Sequence, residues 1–149
     1  MGPLSLEGLR QGAVLLVDSA PIIYVLEGRE DLAPVFRPVF EAHENGLVRF
    51  AVTTVSLAEV LTGPLSRGDE VLAERYRSTL KSWFVVDLDP QIAESAARLR
   101  AALKLKLADA VQAASALAIG ADALVTHDRD FSSVRDLRVI GVSRKTPPT

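Results

Sequence analysis

Four acidic residues stand at or near the ends of apolar runs or in the first turns of helix-like stretches: Asp18 in "VDSAPIIYVLEG", Glu59 in "VTTVSLAEVLTG", Asp109 in "LKLADAVQAASALAIGAD" and Asp128 in "LVTHDRDF". Converging them on one crevice carries an electrostatic cost, because at about 4 Å and an effective dielectric of 20 each like-charge pair repels by roughly 4 kcal/mol. A domain rarely gathers such groups without a cation. The chain has no cysteine and two histidines, His43 and His127, so a metal site here is built best from oxygen. Hard carboxylate oxygens favour Mg²⁺ or Mn²⁺, which keep water ligands and bridge to phosphate oxygens. The chemistry implied is phosphoester hydrolysis, in which the metal polarises the phosphate and acidifies an attacking water.

Each acid also has a local reading. Asp18 can be a turn residue ahead of a helix with Pro21 at its first position. Ser56-Leu57-Ala58-Glu59 matches a capping box, in which the glutamate bonds back to the cap residue's amide. Asp109 can complement the positive end of a helix macrodipole, and Asp130 can cap a short turn through residues 131–134. Asp87 and Asp89 read as structural, with Asp89 capping a helix that begins at Pro90. Asp128 has no equally obvious local task.

The elements that must position these residues alternate along the chain. Ala13–Val17, Val48–Thr53, Phe84–Leu88, Ala123–Thr126 and Leu137–Val142 are short, valine-rich and bounded by Gly, Asp or Pro, as strands are. Helical stretches are expected at Ala20–Leu26, Leu32–Glu44, Ser56–Leu61, Glu70–Trp83, Gln91–Leu105 and Ala108–Ile119. Gly28, Gly46, Gly63 and Gly120 fall near their ends as stops. Strands apolar on both faces and joined by crossover helices imply a three-layer α/β/α fold around a parallel five-stranded sheet. In such sheets ligands bind beyond the carboxyl ends of the strands. Asp18, Thr54, Glu59, Thr126, Asp128 and Asp130 all follow strands, whereas the start of the Asp109 helix could fall at either end.

With 149 residues, 48% apolar and 24% charged, the chain is expected to fold as one domain with a sizeable core. We divide it into a leader over residues 1–12 that lies loosely on the surface, a domain over 13–142 and a flexible tail over 143–149. The net charge of −2 announces no global basic field for nucleic acid. Apolar runs are too short to span a bilayer and the first residues lack signal-peptide features, so the expected location is cytoplasmic, without a membrane partner.

The four motifs, in this order and at these spacings, resemble the PIN-domain family of metal-dependent nucleases, and within it the VapC-type toxins of bacterial toxin–antitoxin pairs. The likeness runs from about Leu15 to Val142. It implies a PIN-like sheet of order 3-2-1-4-5 and brings the Asp109 helix start to the crevice where the strands end. Carried over by position, Asp18, Glu59, Asp109 and Asp128 form an acidic quartet that holds Mg²⁺ or Mn²⁺, with Asp18 and Asp109 as the foremost ligands. Ser19, Thr54 and Thr126 match supporting hydroxyl positions, and Asp130 a less essential acid. Ala20 departs from the Asn or Ser that many relatives carry. The implied activity is endonucleolytic cleavage of RNA that leaves a 5′-phosphate and a 3′-hydroxyl. Implied partners are the RNA, a cognate VapB-like antitoxin and a second copy in a homodimer. Lys104, Lys106 and Arg129 flank the acidic motifs and could hold the RNA backbone or be ordinary solvated charges. His127 reads as an exposed loop residue.

A housekeeping RNA-processing PIN nuclease would carry the same quartet. From another class, a phospho-accepting receiver domain shares the doubly wound plan, but here Asp18 lacks an acidic neighbour and the lysine after the last strand lies in the tail. A catalytically silent PIN scaffold used for binding is a further alternative, against which retention of all four acids argues.

Overall fold

Alternation with a period of two assigns each strand one side chain to each face of the sheet, and here both faces are apolar. Strands β1 (Ala13–Val17), β2 (Val48–Thr53), β3 (Phe84–Val86), β4 (Ala123–Asp128) and β5 (Val139–Val142) pair in parallel in the order β3-β2-β1-β4-β5. The computed structural model describes residues 4–128, 131 and 133–142, and of Asp128 the backbone alone. Six helices connect the strands within that range: α1 (Ser19–Glu27), α2 (Ala33–Glu44), α3 (Thr54–Ser66), α4 (Glu70–Lys81), α5 (Pro90–Leu103) and α6 (Leu107–Ala118).

Leu15, Val17, Phe50, Val52 and Val125 turn to one face, where they pack with Ile22, Phe36, Val39, Val60 and Leu80 of α1 to α4. Leu16, Ala51 and Leu124 turn to the other, against Ile92, Ala96, Ala110, Ala113 and Ala114 of α5 and α6. The architecture is the expected three-layer fold, and the parallel order 3-2-1-4-5 is observed. Helices leave β1 toward one face and enter β4 from the other, so the strand order reverses between β1 and β4. That reversal opens a crevice at their carboxyl ends.

Several elements differ from their expected form. Helix α3 starts two residues before its expected range and ends five beyond it: it begins at Thr54 and runs through Gly63 and Pro64 to Ser66.

 The expected start, Ser56, lies inside the helix, because Thr53 is the N-cap and its hydroxyl accepts from the Ser56 amide at 3.1 Å. The expected end fails because Gly63 keeps a helical backbone, and Pro64 so near the helix end forfeits only one amide hydrogen bond. Strand β4 continues to Asp128 through an irregularity in its pairing with β5 between Thr126 and Asp128. His127 therefore lies in a half-buried strand position rather than in an exposed loop. Asp89 caps α5 as expected, accepting from the Ile92 amide at 2.8 Å, with Pro90 at the first helical position.

Residues 4–12, ahead of β1, are also not loose. Leu4, Leu6 and Leu9 pack against the core, the Leu4 amide donates to Val35 O and the Gly12 amide to Leu47 O. Arg10 donates through Nε and Nη2 to the two carboxylate oxygens of Asp122, at 3.1 and 3.0 Å, and so ties this segment to the start of β4. The tail over 143–149 lies outside the described residues. No helix among the described residues is long and apolar enough to cross a membrane.

Candidate active site

The strand registers bring three polar side chains to one level. Leu16 pairs with Ala51 and Val17 with Val125, so Asp18, Thr53 and Thr126 follow at the same height. By alternation all three lie on the face that α6 covers. Asp18 caps α1, and its Oδ1 accepts from the Ser19 amide at 2.8 Å. Thr126, 2% exposed, donates its hydroxyl to Asp18 Oδ2 at 2.9 Å.

Helix α6 adds a group that the sequence did not single out. Gln112 is fully buried, and its Nε2 donates to Asp18 Oδ1 at 2.8 Å and to Ser56 Oγ at 2.5 Å. Its Oε1 accepts from Thr53 Oγ1 at 2.9 Å. Because Gln112 sits three residues beyond Asp109, the two share a helix face. This resolves the direction of α6: its first turn, with the half-buried Asp109, lies at the carboxyl ends of β1 and β2.

From Ser56 the network continues to the second acid. Ser19 Oγ lies 2.9 Å from Ser56 Oγ and 2.6 Å from Glu59 Oε1. A hydroxyl has one proton. The Ser19 proton must serve the carboxylate, so Ser56 supplies the proton between the two serines while it accepts from Gln112. Glu59 lies one turn beyond Ser56 on α3 and is exposed. The capping box is not formed, since Thr53 caps the helix, and Glu59 instead faces Ser19.

Asp18 and Glu59 are thus brought together through Ser19, with Thr126 beside Asp18 and Asp109 one turn from Gln112. Thr54 is not part of this network: its hydroxyl accepts from the Leu88 amide at 3.3 Å, on the β3 side of the sheet. The described residues contain no cluster of three acidic or histidine side chains close enough to hold a metal. The Asp128 side chain, Arg129 and Asp130 lie outside the described residues. Lys104 and Lys106 are exposed in the turn between α5 and α6, just ahead of Asp109.

No basic side chain pairs with Asp18 or Glu59 among the described residues; the donors to both are neutral. Two hard, anionic oxygen donors linked through Ser19 and met by no basic side chain among the described residues fit a divalent cation. Neither histidine joins them. His43 stacks on Phe50 with centroids 4.2 Å apart, and His127 Nδ1 lies 3.1 Å from the Tyr24 hydroxyl. Burial pushes the Tyr24 phenol above its ordinary pKa; the Arg29 charge opposes this, and Asp31 and Asp18 reinforce it.

Sequence reasoning missed Thr53, Ser56 and Gln112. The signal for Gln112 was a lone amide in the small, apolar run "ADAVQAASALA", placed three residues beyond an acid. For Thr53 it was the period of two that also selects Asp18 and Thr126.

The class of protein defined by this fold and site is a parallel α/β domain with an acidic, hydroxyl-lined crevice where its strand order reverses. The chain belongs to the PIN domain family, whose model matches residues 15–137. Among solved structures it is similar to a toxin–antitoxin complex from Klebsiella pneumoniae, at 27% identity over 83% of this chain and 94% of that one, with a TM-score of 0.66. VapBC-1 of nontypeable Haemophilus influenzae shares 21% identity over 86% of this chain and 97% of that one, with a TM-score of 0.68. VapC20 of Mycobacterium tuberculosis, described as a sarcin–ricin-loop-cleaving toxin, shares 14% over 85% and 98%, with a TM-score of 0.67. A search of curated proteins finds no significant match.

Proposed function

We propose that this chain is a Mg²⁺- or Mn²⁺-dependent endoribonuclease and the toxin of a type II toxin–antitoxin pair. The observation that carries this reading is the carboxylate of Asp18, half-buried at the reversal of strand order, bonded by neutral donors and linked to Glu59 through Ser19, whose amide donates to Asp18 and whose hydroxyl donates to Glu59. Asp18, Glu59, Asp109 and Asp128 would hold the cation. When bound, it polarises the scissile phosphate and acidifies water for in-line attack. The chain itself supplies position. Thr126 and Gln112 fix Asp18, Ser19 fixes Glu59, and Lys104 and Lys106 are placed to hold phosphates of the RNA backbone on the approach to Asp109. Asp130 and Arg129 remain proposed as an outer acid and a backbone contact. The products would be a 5′-phosphate and a 3′-hydroxyl.

Similarity to toxin–antitoxin complexes supports a VapB-like antitoxin as partner; a homodimer acting in the cytoplasm completes the proposal. The test is incubation of the purified protein with single-stranded RNA and DNA of the same sequence, with Mn²⁺ or with a chelator. The expected result is Mn²⁺-dependent cleavage of RNA at internal positions, with 5′-phosphate ends. Cleavage that persists in the chelator, or ends carrying a 3′-phosphate, would contradict the reading.

A further inference from the structure

Gln112 is a fully buried polar side chain on the face of α6 that meets the strand ends. It is 0% exposed, and both amide protons and the carbonyl oxygen are engaged, with Asp18, Ser56 and Thr53. Its orientation is fixed by chemistry as well as by packing. Turning the amide over would set its oxygen against the Asp18 carboxylate, two acceptors with no proton between them.

The consequence falls on Asp18. An ionised carboxylate has about four acceptor positions. Oδ1 takes the Ser19 amide and the Gln112 amide, and Oδ2 takes the Thr126 hydroxyl. Counting donors among the described residues, one acceptor position is left, and it is on Oδ2. We infer that Gln112 is a positioning residue, which saturates Oδ1 and commits Asp18 to bind a divalent cation through Oδ2 alone. Through Ser56 and Ser19 the same amide is coupled to the carboxylate of Glu59, so one buried side chain sets the orientation of two acids on different elements. This rests on the proposal that Asp18 holds a divalent cation.

The test uses Gln112→Met, which keeps the unbranched shape and removes every hydrogen bond, and it reads binding as well as turnover. Mn²⁺ alone is titrated into the full chain by calorimetry, and RNA cleavage is then measured at saturating Mn²⁺. Groups hydrogen-bonded to metal ligands act on a scale of about 10–100-fold. The Mn²⁺ Kd is expected to rise about tenfold and kcat to fall about tenfold, while KM for RNA stays within about twofold. A merely structural role would leave the Mn²⁺ Kd of the folded variant unmoved. Thr53→Val, which frees the Gln112 carbonyl and leaves the neighbours of Asp18 intact, is expected to show a smaller loss in the same direction, and it carries the test should Gln112→Met fail to fold. Folded variants with wild-type Mn²⁺ affinity and kcat would overturn the proposal alone. Absence of Mn²⁺ binding by the wild-type chain would overturn the metal reading, and this proposal with it.

Discussion

The carboxylate of Asp18 accepts three hydrogen bonds and meets no basic partner among the described residues. At this scale each donor should matter according to what it touches. Thr126→Val removes the hydroxyl on Oδ2 and keeps the shape, so RNA cleavage should fall about tenfold, the lower end of the scale for groups that orient metal ligands. Thr54→Ala, which loses a bond to the Leu88 amide instead, should change cleavage by less than about twofold; an equal loss in both variants would contradict the placement of these threonines. Asp18 was legible in the sequence because it ends an apolar run, whereas Glu59 and Asp109, read singly as a capping-box and a macrodipole residue, were joined to it by the family likeness. The choice between Thr53 and Thr54 was not, since neighbours at a strand end face opposite ways and the strand-to-helix boundary decides which one turns inward. Gln112 was hidden for a related reason: an amide on a helix looks like a surface residue until the helix's buried face is known.

Among the elements, the helices were legible by period and their ends less so. Gly63 signalled a stop that α3 ignores, whereas Gly28 and Gly120, at φ 67° and 65°, do end their helices. The leader's leucines at 4, 6 and 9 gave no sign of docking, because they are interleaved with polar and charged residues. What holds that segment is testable. Hydrogen bonds from Arg10 and from the Val14 amide hold the Asp122 carboxyl below its usual range, against a small opposing effect of burial. A carboxyl whose pKa is lowered by folding stabilises above its unfolded value, near 3.9, and that stability is lost as pH falls through the folded value. Asp122→Asn should therefore lower Tm by a few degrees at pH 7, and the gap should close as pH falls from about 4 through the lowered folded value. Thermal unfolding followed by circular dichroism checks this; a gap that persists at the acid end would mean the carboxylate charge is not its source.

For the whole molecule, the alternation of strands and helices dictated a three-layer fold, while the sheet order came from the family likeness, since crossover geometry alone does not choose which strand lies at the centre. The order 3-2-1-4-5 sets β1 between β2 and β4, and so collects side chains from β1, β2, β4, α3 and α6 at one end of the sheet. Convergence of acids there should make the folded state respond to a cation. At about ten times its Kd, Mn²⁺ stabilises by roughly 1.4 kcal/mol, or about 3–6 °C in Tm for a chain of this size. The shift should be smaller in Asp18→Asn, and equal shifts would place the ion elsewhere. The central claim is tested most directly by Mn²⁺-dependent cleavage of single-stranded RNA by wild type and Asp18→Asn side by side, with matched circular dichroism spectra. The account predicts that the variant folds and that its cleavage falls by about 100-fold or more, the loss of a few kcal/mol of transition-state stabilisation; undiminished cleavage by folded Asp18→Asn would contradict it.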